Sequence, residues 1–133
     1  MKPTGGGAQN TSPGLDQTIT GILPTNPPLD FDTEINNLAA QTESGTAYAI
    51  CGKLRTYTSV AGTSVNAPSG AQTMAQATCP AGKLAVGGGG FAFSTQFLTL
   101  GLNSSYPSAG DTWQSRMNNT GTATMTNAHV ICL

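Results

Sequence analysis

Ala71-Gln72-Thr73-Met74-Ala75-Gln76-Ala77-Thr78-Cys79 alternates small residues with Gln72, Met74 and Gln76. A period of two is the signature of a strand with one face turned inward. Downstream, Pro80-Ala81-Gly82-Lys83 is a turn, and Leu84-Ala85-Val86 is a short apolar strand that ends in Gly87–Gly90. Phe91–Ser94 and Phe97–Leu102 read as further strands, followed by a loop through Tyr106–Gly110. Asp111–Met117 sets Trp113, Ser115 and Met117 on one face, Asn118–Gly121 turns, and Thr122–Leu133 follows. Upstream, Thr46–Cys51 stops at Gly52, Lys53–Val60 alternates, and Ala61–Gly70 is a loop. About eight short strands with frequent turns predict an all-β body over residues 46–133, a small β-sandwich or jelly-roll-like domain. The pentapeptides Ala47–Cys51 and Ala128–Cys132 share Ala-x-x-Ile-Cys, which would suit neighbouring strands with like faces inward.

Residues 1–45 have another character. Pro3, Pro13, Pro24, Pro27 and Pro28 interrupt the stretch, and proline lacks a backbone donor and fixes φ. The expectation is an extended Gly/Pro-rich arm with sparse apolar anchors at Leu15, Ile19, Ile22, Leu23, Leu29 and Phe31. Such anchors would dock an arm that orders on assembly. Phe31, Ile35, Leu38 and Ala39 share a helical face, so one short helix is expected near residues 32–41, with Asp32 as its cap. Deleting Met1–Leu29 should then leave a folded body without its means of attachment.

In a chain of 133 residues only 8% are charged, against about 25% in ordinary soluble domains. Thr, Ser, Asn, Gln, Gly and Ala fill the gap, giving a neutral, hydroxyl-rich surface. The bases are Lys2, Lys53, Arg55, Lys83 and Arg116, too few and too scattered for nucleic acid. Asp16, Asp30, Asp32, Glu34 and Glu43 against Lys2 make the first 45 residues net −4. Lys53, Arg55, Lys83 and Arg116 against Asp111 make the remainder net +3. An acidic segment facing a basic body, its own or a neighbour's, would help register and encounter. Ile19–Pro24 is too short and polar to cross a bilayer, so no membrane partner is expected. The start, Met1-Lys2-Pro3-Thr4, lacks the apolar core of a secretion signal. Synthesis in a host cytoplasm and display on a virion are therefore expected, with a secreted, extracellular location as the alternative.

Cys51, Cys79 and Cys132 are the disulfide candidates. Pairing Lys53–Val60 with Ala71–Thr78 about a loop near Val65 places Cys51 opposite Cys79 and leaves Cys132 over, within reach of a neighbouring subunit. Cys79–Cys132, leaving Cys51, is the rival, and three reduced cysteines the third possibility. A site from His129, Cys132, Cys51 and Cys79 lacks a Cys-x-x-Cys knuckle, and residues 129 and 132 of one strand point to opposite faces, so no metal is expected. Catalysis is not expected either. His129 is the single histidine, there is no Gly-x-Ser-x-Gly elbow, and Asp111 is the body's one acid. Gly87–Gly90 lacks the Gly-Lys-Ser/Thr ending of a phosphate loop and is better suited to a bulge or close backbone packing, so no cofactor is expected.

Cys79–Lys83, Gly87–Gly90, Ser105-Tyr106-Pro107, Trp113, Asn118-Asn119 and Cys132 form a series that resembles a small β-sandwich module of bacterial secreted proteins and phage virions. That module has a Cys-Pro-x-Gly-Lys turn, a Gly-rich strand end, a Ser-x-Pro stretch, a Trp strand, an Asn-rich turn and a closing Cys. The likeness covers residues 47–133. An arm joined to a small β-body also resembles phage capsid decoration proteins in architecture. The resemblance implies a virion structural subunit: a decoration or cement protein, or a neck or tail accessory. Such a subunit would be held by its arm to other virion proteins and would assemble as a homo-oligomer. The alternative is a glycan- or receptor-binding module of a fibre tip or secreted protein, for which Tyr48, Tyr57, Tyr106 and Trp113 are the aromatic candidates.

Overall fold

The computed structural model describes residues 1–11, 16–25, 30–93 and 99–133. The chain is all-β there. Its strands are β1 (Lys2–Asn10), β2 (Gln17–Pro24), β3 (Phe31–Asn37), β4 (Gly45–Gly52), β5 (Thr58–Ala61) and β6 (Val65–Ala67). They are followed by β7 (Ala71–Thr78), β8 (Ala85–Phe93), β9 (Leu100–Pro107), β10 (Thr112–Asn119) and β11 (Thr124–Cys132). All pairings are antiparallel.

One sheet has the order β7-β10-β9, and a larger one runs β3-β2-β8-β11-β5 with β6 also paired to β11. The two pack face to face, β10 against β8 and β7 against β11. The alternation that opens the fold is realised as expected. Thr73, Ala75, Ala77 and Cys79 point inward, while Gln72, Met74, Gln76 and Thr78 are exposed. Ala75, Ala77 and Cys79 meet Ala128, Val130 and Cys132, with Trp113 and Val60 packed against them. Ala92, Leu100 and Met117 form a second cluster. These side chains are small, so the sheets lie close and the disulfide Cys79–Cys132 spans them, with Cα atoms 5.7 Å apart. In the turn after β7 the Lys83 N–H donates to the Pro80 carbonyl, and Gly82 takes φ +81°, the left-handed position of a type II turn.

The glycine run is the centre of the molecule rather than the end of a short strand. Gly87–Gly90 lies within β8 and is wholly buried. A side chain on Gly88 would strike the Trp113 ring of the opposing sheet, and one on Gly89 the Ile22 carbonyl of β2. Backbone of β1 and β2 thus lies against Gly87 and Gly89, and the Trp113 and Ser115 side chains of the opposing sheet lie against Gly88 and Gly90, an approach on both sides that only glycine allows. This fulfils the expectation of close packing.

Four expectations are corrected. The described residues among 1–45 are not an extended arm, because β1 pairs with β4 and β2 pairs with both β3 and β8. The described prolines that fall in strands sit near strand ends, Pro3 beside a register shift in β1, Pro24 closing β2 and Pro107 closing β9. The helix expected near 32–41 is replaced by β3. Phe31 and Ile35 are four apart and so share a face in either geometry. A ten-residue helix is marginal, whereas β2 offers a full ladder. Lys53–Val60 does not pair with β7, since its strand portion lies beside β11 and β7 lies beside β10. The two Ala-x-x-Ile-Cys strands are not neighbours, for β4 pairs with β1 and β11 with β5, β6 and β8. Part of the strand expected at Phe97–Leu102 lies outside the described residues.

Candidate interaction surface

The candidate anchors are used inside the fold. Ile19 faces Ile35 across the β2–β3 ladder, Ile22 is opposite Thr33 and Gly90, and Leu23 is opposite Asp32. Phe31 is buried, its ring against Gly6 of β1. Leu15 and Leu29 lie outside the described residues. Ile19, Ile22 and Leu23 are half-buried within β2, and of the four described anchors only Phe31 is buried.

The cysteines divide differently from the hairpin reading. Cys79 and Cys132 are bonded and buried, so Cys132 is not left over for a neighbouring subunit. Cys51 is a free, exposed thiol on β4. The hairpin reading failed because β10, far along the chain, takes the place beside β7.

The polar tips of all four aromatic candidates are engaged within the chain, Tyr48 donating to Gln9 Oε1 at 3.0 Å. The Trp113 Nε1–H donates to Ser105 Oγ at 2.8 Å, and Tyr106 donates to Gln114 Oε1 at 2.8 Å. Tyr57 donates to the Pro3 carbonyl at 2.6 Å, under the Lys2 ammonium 5.2 Å from its ring centre. Burial, then the nearby Cys51, raises the Tyr57 pKa. His129 lies 5.6 Å from the Phe91 ring, its Nδ1 buried without a partner, and burial lowers its pKa. Among the described residues no three His, Cys, Asp or Glu side chains gather as a metal site.

The sequence did not reveal the surface that stands out, β4. Each residue from Gly45 to Cys51 is exposed, including Tyr48 at 52% and Ile50 at 67%. Among the described residues β4 is paired on one side only, so its outer row of N–H and C=O groups is open. Its ends carry opposite charge. At the Gly52 end, Lys2, Lys53 and Arg55 line an open cleft of about 390 Å³ together with Leu54. At the Gly45 end, Glu43 lines a second cleft of about 340 Å³ with Gln17, Thr33, Ile35 and Asn37. The ends are roughly 24 Å apart along an eight-residue strand. Glu43 is thus set at one end of the ribbon and Lys2, Lys53 and Arg55 at the other. The sequence carried no signal for it: Ala47–Cys51 is apolar throughout, and such a run reads as a buried strand. No protein-family model, curated protein or solved structure matches the chain.

Proposed function

We propose that the chain is a non-catalytic structural subunit of a phage particle surface, a capsid decoration or cement protein or a neck or tail accessory. It holds its neighbours through the two-stranded sheet of β1 and β4. The observation that carries this reading is the bare apolar strand β4. Soluble proteins usually blunt an exposed edge with Lys, Pro, a bulge or a covering loop. Residues 45–52 contain no Lys and no Pro, and the ladder's register shift falls in β1. An edge left in this state is suited to contact with another chain. The hydroxyl-rich, weakly charged exterior and the turn, Trp and Cys series described above support a virion setting.

The reading is tested on particles released by the source organism. Mass spectrometry should find the chain in purified particles, and gold-labelled antibody should mark them at regularly repeated positions. Absence from the particles removes the proposal. Label confined to fibre tips replaces it with the glycan- or receptor-binding module.

A further inference from the structure

We infer that β4 is the contact between two copies of this chain, paired edge to edge and antiparallel across a two-fold axis. The inference rests on the reading of the chain as an assembling subunit and names the partner of that surface. Three features point to a second copy rather than a foreign strand. The centre of β4, Ala47-Tyr48-Ala49-Ile50, is apolar and exposed and would face itself. The open edge supplies backbone donors and acceptors that an identical strand can satisfy. The charges flanking the strand are self-complementary: acid before it at Glu43, base after it at Lys53 and Arg55.

The symmetry makes the last point specific. In an antiparallel pair related by a two-fold axis, one residue faces its own copy. With Tyr48 at the axis, Glu43 falls opposite Lys53 of the second copy. With Ala49 at the axis, it falls opposite Arg55. Each interface then holds two identical acid–base contacts, one at either end. A parallel arrangement would instead set Lys53 against Lys53 and Glu43 against Glu43. Like charges across an interface disfavour it, so the sequence selects the antiparallel mode.

The test uses the full chain in sedimentation and light scattering. The wild type should form a reversible dimer that weakens as salt is raised. Glu43→Lys alone, and Lys53→Glu with Arg55→Glu, should each weaken the dimer at least about tenfold, since two charge pairs are reversed per interface. An equimolar mixture of the two variants should recover a heterodimer of near wild-type affinity, because both ends again bring opposite charges together. Misfolding would not be repaired by mixing. A wild-type chain that stays monomeric at millimolar concentration, or a mixture no tighter than its parts, overturns the inference. A monomer that is nevertheless found on particles removes the pairing and leaves the structural-subunit reading. A dimer absent from particles does the reverse.

Discussion

Gly89 shows how a single atom decides the layering. Its missing side chain lets the Ile22 carbonyl rest on β8. Gly89→Ala should cost about 1–3 kcal/mol, as overpacking a filled interior does. Gly7→Ala, where a methyl group meets open space, should change stability by no more than about 0.5 kcal/mol. Urea midpoints of the two variants make the comparison. Two titrating residues add a pH dependence of opposite sign. Burial, and then the Asp32 charge, raises Glu34 above its ordinary 4.5. The folded state thus holds this proton more tightly, and the contribution is full below pH 4.5 and lost as pH rises through the folded value. Glu34→Gln should be more stable than wild type at pH 7, with the advantage vanishing in acid below 4.5. Burial lowers His129 below 6.5, so its contribution is present above 6.5 and lost as pH falls through the folded value. His129→Gln should flatten that acid-side loss in thermal melts.

The strands differ in how far their sequences disclose them. β7 and β10 were legible because each has one face inward and a period of two that shows it. β8 was legible only in pieces, since glycine carries no hydrophobic pattern although the strand runs through it unbroken. β3 was misread because Phe31 and Ile35 fit both periods, and the deciding fact, a free neighbour in β2, is not local. The candidate surface was illegible for a related reason. A continuous apolar run reads as buried, and only the topology leaves β4 at an edge. The cysteines follow the same rule, with Cys79–Cys132 fixed by long-range pairing. That bond closes a loop with a sequence separation of 53, worth about 4 kcal/mol in unfolded-chain entropy. Cys132→Ser should lower the melting temperature markedly, and reductant should do the same to the wild type but not to the variant.

For the whole molecule, β1, β2 and β3 are structural. Deleting Met1–Leu29 would strip β2 from beside β8 and β1 from against Gly87, and leave β3 and β4 without their ladders. The truncated chain should aggregate or lose cooperative unfolding, contrary to the sequence-based expectation of an intact body. Thermal unfolding followed by circular dichroism checks this. β11 has a different consequence, one of timing. It pairs with β5, β6 and β8, all made before it on the ribosome, and Cys132 lies opposite Thr58 across most of the body. Non-local closure of this kind takes on the order of milliseconds to seconds. Until β11 arrives, β8 waits with an unfilled side. Its glycine run is a poor template for sticking to other nascent chains, because short aggregating segments are rich in bulky apolar residues and poor in glycine. The residues that let the backbones of β1 and β2 and the Trp113 ring close on β8 in the finished protein also keep its central strand quiet while synthesis is under way.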